Sequence, residues 1–541
     1  MILQIIFQFL LRRNLTLIAQ IEVRTGGITR YRAHPYRRRF LSRRYTAPRR
    51  AVAAPGTLRH FDTMPAPRIK VFAVSFAHLW VRTRFPFRYG IASMTEAPHV
   101  LVRTTVECDG RIFEGVSAET WVPKWFVKNP ATTYDEDLPD MCRTLRHAAA
   151  AAMQTREAHT FFDWWRQLYD AQSELAGSPG IPPLLAHLGT AMIERAVCHA
   201  LCQAQSCSIH AWWRENHAGI DFAAIRPQTA GLTPADVLPM QPSSRPIVRH
   251  TVGLADPLTN AEITEPLNDG LPHSLEENIR AFGLTHFKIK LAGDLERDTA
   301  RLVSLATLLP PGARFTLDAN ENYPDIRVFK AHWDHWMSRP PLAAWLRQDL
   351  LLVEQPLHRD SSFDAATGAA LSSWPKHPPF IIDEADASLD DLPRALALGY
   401  AGTSHKNCKG LTKGLANLAL LHRHGPGTIL SGEDLSNIGP VALLQDLAVM
   451  AALGIPHIER NGHHYFRGTG MFPPETSDSL LAEHPDLYAA ANGFAALRIR
   501  DGILDATSVV NAPLGITGRE AIAGFVPGLP VAGSGGLHPR L

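Results

Sequence analysis

The chain has 541 residues, more than one ordinary domain, with 54 basic and 52 acidic side chains, a formal net charge of +2 and 45% hydrophobic residues. That is ample for buried cores; no apolar run approaches the roughly 20 residues that span a bilayer, so a protein that does not enter membranes is expected. Thirteen arginines and no lysine fall in residues 1–63, against only Glu22 and Asp62, leaving 41 basic and 50 acidic residues elsewhere. A mildly acidic body argues against a chain that binds nucleic acid as a whole.

Residues 1–63 open on an apolar stretch followed by Arg12-Arg13, the reverse of the order in a secretory signal. They read as a basic, disordered extension, with a targeting presequence or a nucleic-acid-binding arm as alternatives, and folded structure is expected from Met64. Residues 64–225 have an α+β pattern. Strand-like alternation over 69–106 is interrupted at Phe85-Pro-Phe-Arg-Tyr-Gly90, and Cys108-Asp-Gly-Arg111 reads as a hairpin turn. Helical stretches follow, rich in alanine at 147–156 and again at 185–205. Cys198 and Cys202 stand at helical spacing, but without further ligands nearby they read as core thiols. Six cysteines and no secretory signal point to a reducing compartment, the cytoplasm. Residues 225–245, rich in Pro and Ser, read as a linker.

From residue 246 strands and helices alternate. Strands are expected at 247–254, 286–291, 315–320, 350–357, 379–383, 402–408, 428–433 and 457–461, and crossover helices include 274–282, 294–309 and 412–424. Ser274 with Glu277 three residues later forms a capping box. Eight such strands make an α/β fold, a (β/α)₈-type (TIM-like) barrel over 246–491; the rival open sheet lacks a Gly-x-Gly-x-x-Gly turn after its first strand. A hairpin is expected over 496–504, and the Gly- and Pro-rich residues 527–541 read as a disordered tail.

The chemistry concentrates at the ends of these strands. In His286-Phe-Lys-Ile-Lys-Leu291, Lys288 and Lys290 share one face, and two neighbouring ammonium groups require anions. Phe315-Thr-Leu-Asp-Ala-Asn320, Leu351-Leu-Val-Glu-Gln-Pro356, Phe380-Ile-Ile-Asp-Glu384 and Thr403-Ser-His-Lys-Asn-Cys-Lys409 follow, each charged at or near its end, where barrels present catalytic groups. Three converging carboxylates raise one another's pKa unless a cation sits among them, and oxygen ligands select a hard ion, magnesium or as a substitute manganese.

Over residues 68–520 this order resembles the enolase superfamily, in its branch of muconate-lactonising enzymes, dipeptide epimerases and o-succinylbenzoate synthases. The resemblance implies an N-terminal α+β capping domain over 64–225, completed by about 492–526, whose loops close the barrel mouth; 87–97 and 121–126 are the candidates. It implies Asp318, Glu354 and Asp383 as metal ligands, with Lys290 and Lys406 facing the substrate from opposite sides. Lys290 is the expected base, with Lys288 and the metal lowering its pKa. Lys409 competes with Lys406 but has the wrong strand parity, and the glycine pair expected after the second lysine is reduced to Gly410-Leu411. Asn320, Glu384, Glu433 and His463 are expected to support ligands or bind substrate.

The expected activity is magnesium-dependent proton abstraction α to the carboxylate of a small molecule, giving an enediolate, in a racemase, epimerase or cycloisomerase. β-Elimination, as in a dehydratase or an o-succinylbenzoate synthase, is the alternative. A non-catalytic barrel, or nucleic-acid binding through the arginine arm, is the rival from another class. A homo-oligomer is compatible with all of these. A protein beginning at Met64 is expected to melt at the same temperature as the full chain; a clear drop in Tm would show that residues 1–63 pack on the body.

Overall fold

The computed structural model describes residues 68–531, except Glu157, together with Gly533. The basic segment 1–63, and what was expected of it, lies outside the described residues. β1 (Ile69–Tyr89), β2 (Ala92–Cys108) and β3 (Arg111–Thr120) form an antiparallel meander. Asp109 (φ +50°) and Gly110 (φ +73°) close the turn between Cys108 and Arg111. Two successive positive φ values match the twist of the strands they join, which is why Asp-Gly suits the position. The interruption expected at 85–90 is instead a slip of register between Arg82 and Phe87, and β1 continues through it. Pro86 sits in the slip, where the ladder asks for no N–H.

Three helices cover this sheet: α1 (Tyr134–Gln154), α2 (Phe161–Leu175) and α3 (Pro183–Ala204). A Thr133/Glu136 capping box starts α1. Every residue from Leu184 to Cys202 of α3 is buried, which explains its alanine-rich composition in place of an amphipathic stripe. Gly115 on β3 permits the close approach, since a Cβ there would lie 1.8 Å from the Ala196 carbonyl oxygen. Cys198 and Cys202 are fully buried in this layer as free thiols.

The eight expected barrel strands are β4 (Ile247–Val252), β5 (His286–Lys290), β6 (Arg314–Asp318), β7 (Leu350–Glu354), β8 (Phe380–Ile382), β9 (Gly402–His405), β10 (Ile429–Gly432) and β11 (His457–Arg460). Neighbours pair in parallel, and β11 returns to β4 to close the barrel. The crossover helices include α4 (Leu275–Phe282), α5 (Leu295–Leu308), α6 (Leu411–His424) and α7 (Ala442–Ala452). The Ser274/Glu277 capping box is formed, and α4 ends at Gly283 with φ +61°. No helix among the described residues is long and apolar enough to cross a membrane.

After the barrel β12 (Tyr488–Ala491) and β13 (Phe494–Leu497) form a regular hairpin, and Arg500 and Ile503 pair across the expected Asp501-Gly502 turn. That turn docks on the barrel: Val248 N–H donates to the Gly502 carbonyl at 2.8 Å. β14 (Val526–Pro527) then adds a fourth strand beside β1. The segment from 527 is therefore packed as far as Pro530, whose carbonyl accepts from the Cys142 thiol at 3.5 Å.

Buried polar groups join the sheet-and-helix layer to the barrel. Arg195 of α3 pairs with Glu119 of β3 at 2.7 Å. The Asn437 amide donates to Glu119 at 2.6 Å and to Asp446 of α7 at 3.0 Å. Burial pushes Glu119 up to about 7 even with Arg195 beside it. Arg195→Met is expected to cost about 3–5 kcal/mol in urea unfolding at pH 8, because it strands a buried carboxylate. The cost should shrink at pH 6, where that carboxyl takes up a proton.

Candidate active site

The strand register brings the predicted groups to one end of the barrel. Lys288 and Lys290 pair with Thr316 and Asp318 of β6, and Asp318 with Glu354 of β7. A two-residue period puts both lysines, Asp318 and Glu354 inside, and all four are buried. Lys288 Nζ lies 3.0 Å from Asp318, 2.8 Å from Glu354, 2.5 Å from Glu433 and 3.0 Å from Glu459. Lys290 Nζ is 2.5 Å from Asp318. Across the barrel, Lys406 Nζ is 2.6 Å from Asp383 and 3.9 Å from Glu354.

Burial alone would lower Lys288, but the carboxylates of Asp318, Glu354, Glu433 and Glu459 outweigh it and hold the ammonium well above its usual range. The anions that the two neighbouring ammonium groups require are present: four acids answer Lys288. Lys406 is likewise lowered by burial and raised by Asp383, with a net upward shift. Asp383, raised by burial, ends well below the usual carboxylate range because Lys406, Lys409 and Lys288 face it. Glu354 moves the other way: burial, then Asp318 and Glu433, push it well up.

The parity argument against Lys409 fails. β9 ends at His405, and Asn407–Lys409 form a 3₁₀ turn, so alternation no longer applies. Lys409 Nζ reaches Asp383 at 2.9 Å, the same acid that holds Lys406. The shortened glycine pair is accommodated as well. Gly410 alone takes the positive φ, +101°, while Leu411 starts α6 and is fully buried. Glu194 of α3 accepts from the Leu411 and Thr412 amides at 3.1 and 2.7 Å, capping α6 from the neighbouring layer.

Both candidate lid segments reach the site. Phe87, Tyr89, Val122 and Trp125 line the chamber together with Lys290 and Lys406. Trp125 is 5% exposed, with its ring centroid 5.0 Å from Lys406 Nζ. Arg359 fixes this segment, donating to the Phe126 and Trp125 carbonyls at 2.8 and 2.9 Å and pairing with Glu321. The space enclosed is only about 30 Å³, room for a water or two.

Of the supporting residues, Asn320 (φ +43°) donates to Glu384 at 3.3 Å. Burial, then Asp383, Glu321 and Asp318, push Glu384 up to about 7. Glu433 bridges Lys288 and Arg249. His463 stays out of the cluster: its Nε2 is 3.0 Å from His250 Nδ1, and its ring meets Phe282. The sequence reading missed Glu459, Arg249 and Asp434. Strand parity could have found the first two. Glu459 shares register with Arg249, whose inward neighbour Thr251 donates to it at 2.7 Å.

The three expected ligands are hard oxygen donors at one end of the barrel, and Glu354 Oε2 accepts no hydrogen bond although Lys288 Nζ is 2.8 Å away. As arranged, no group of three or more His, Cys, Asp or Glu among the described residues is set to hold a metal; ammonium groups stand between the acids. Donor chemistry and the mutual repulsion felt by Glu354 suit a hard divalent cation, provided Lys288 and Lys406 draw back.

No curated protein matches this sequence. A mandelate racemase/muconate lactonizing protein from Herpetosiphon aurantiacus is similar in structure, with 18% identity, 84% of this chain and 99% of that one covered, and a TM-score of 0.53. A mandelate racemase/muconate lactonizing enzyme from Bordetella bronchiseptica RB50 has 16% identity, coverage of 82% and 97%, and a TM-score of 0.52. A muconate lactonizing enzyme from Pseudomonas fluorescens, complexed with muconolactone, has 16% identity, coverage of 82% and 96%, and a TM-score of 0.50. At such identities these likenesses establish the fold. Within the sequence, residues 271–487 match the family model described as enolase C-terminal domain-like.

Proposed function

We propose that the chain is an enzyme that removes a proton α to the carboxylate of a small molecule, as a racemase, epimerase or cycloisomerase. The observation that carries this reading is the placement of Lys290 and Lys406 on different sides of one closed chamber, with Asp318, Glu354 and Asp383 between them. Lysines on two faces can exchange a proton at one carbon with inversion, which a single base fixed on one face cannot do.

Asp318, Glu354 and Asp383 would hold magnesium, or manganese in its place, and the bound ion would offset the second negative charge that proton removal creates on the substrate carboxylate. The chain's own groups do the rest. Lys290 takes the α-proton; its ion pair among the described residues is with Asp318, a proposed ligand. Lys406, protonated against Asp383, delivers a proton from the other face. Lys288, drawn back from Asp318 and Glu354, stays charged against Glu433 and Glu459 and keeps both in place. Phe87, Tyr89 and Trp125 exclude water, which strengthens every charge interaction in the chamber. At about 30 Å³ the chamber admits substrate only when these aromatic segments and the lysine side chains shift. Six free thiols support a reducing compartment, the cytoplasm, as the site of action.

Chelation is expected to abolish deuterium uptake from solvent by the true substrate, found by screening a carboxylate panel that includes dipeptides, and magnesium to restore it. Asp318→Asn and Glu354→Gln should each weaken magnesium binding, measured by calorimetry, and unchanged affinity in both would remove the ligand assignment.

The lysines are tested by stereoisomer. In an epimerase, Lys290→Ala should stop exchange from one isomer and spare the other, with Lys406→Ala showing the reverse. In a β-elimination, loss of the abstracting lysine should stop all exchange, and loss of the other should slow it by about 10²- to 10³-fold. Near-normal turnover by both variants would take both residues out of the mechanism.

A further inference from the structure

The loop after β10 contributes Asp434, Leu435 and Ser436 to the chamber, and its continuation, residues 437–439, to a second cavity of about 200 Å³. This space lies between the barrel and the β12–β13 hairpin. Its walls are mostly carbon, from side chains such as Phe282, Leu443, Phe466, Phe494 and Leu497. Five polar side chains break that surface, those of Asn437, Arg460, His463, Thr469 and Tyr488, and His463 Nδ1 has no hydrogen-bond partner in the protein. Arg460 and Tyr488 line it, are 1% and 2% exposed, and leave Nη1 and the phenol hydroxyl without a hydrogen-bond partner in the protein.

The rest of Arg460 is engaged. Nε donates to the Glu459 carbonyl at 2.8 Å, and Nη2 meets Asp434 and, at 3.3 Å, Asp446. Arg460 and Tyr488 line the same cavity. A buried donor with nothing to donate to is costly to keep, and two of them beside an apolar space suit an acceptor oxygen on an otherwise apolar molecule. Charge selects the kind of oxygen. Two aspartates already answer the guanidinium, so an anion entering here would meet them without a free cation. Size selects the rest: an apolar cavity of about 150 Å³ holds benzene, and this one takes a single ring with a small substituent.

We propose that this cavity is a second binding site, for a neutral one-ring molecule whose carbonyl oxygen accepts from Tyr488 Oη and Arg460 Nη1. It is independent of the chemistry assigned to the chamber. The loop after β10 walls both spaces, so a bound molecule braces one side of the chamber.

The full chain is titrated with acetophenone as the probe, followed by ligand-observed NMR. Isopropylbenzene, of similar shape without an acceptor, and benzoate, which is charged, serve as comparisons. Acetophenone is expected to bind one to one, with benzoate at least about ten-fold weaker. Tyr488→Phe should weaken acetophenone about five-fold, the loss of one hydrogen bond, and leave isopropylbenzene unchanged. Ala496→Trp, which fills the cavity, should abolish both, with thermal melts showing that each variant is folded. No acetophenone binding up to its solubility, benzoate binding as tightly, or acetophenone affinity unmoved by Tyr488→Phe would each overturn the proposal.

Discussion

The ammonium of Lys288 is the interaction on which the rest of the barrel interior depends. A lysine 1% exposed is tolerable only when its charge is answered, since an unpaired buried ion costs several kcal/mol. Here the answer comes from β6, β7, the end of β10 and β11, so one side chain on β5 ties together strands on both sides of the barrel axis. The arrangement also distributes charge unevenly. Asp383 and Glu459 are held well below the carboxylate range by the lysines they face, whereas burial, Asp318 and Glu433 push Glu354 well above it. Of the expected ligands, Glu354 therefore gains most from a further cation.

What could be read beforehand followed the reach of local rules. The alternation of Lys288 and Lys290 is a property of any strand, and the order of Asp318, Glu354 and Asp383 along successive strands survives because barrels place strand ends together. Parity misled where the strand stopped. Lys409 was set aside on an alternation that ends at His405, and the 3₁₀ turn that follows swings it onto Asp383. Glu459 and Arg249 were missed for the opposite reason: each sits inside a short strand with no turn or motif to mark it, and it is the closure of β11 onto β4 that brings Glu459 to Lys288. His463 drew notice as one of two adjacent histidines, yet its position depends on a loop whose path no local pattern sets.

The layer over the barrel mouth is joined to it at the points the proposed chemistry needs. Trp125 stands over Lys406, and its segment is held from below by Arg359, itself paired with Glu321 next to Asn320. Glu194 of α3 caps α6, the helix that begins directly after Lys409 and Gly410. Glu119, through Asn437, reaches the loop carrying Asp434 to Ser436 into the chamber wall. Three separate polar contacts therefore link the upper layer to β9, to the end of β6 and to the end of β10. A movement of that layer large enough to admit a substrate has to strain at least one of them. The least costly to release is the Trp125 segment: its carbonyls accept from Arg359, which is 14% exposed at the side chain and partly open to water, whereas Glu194 and Glu119 are fully buried. Water can replace a partner at the first and not at the others, so of these three contacts the one beside Lys406 costs least to break.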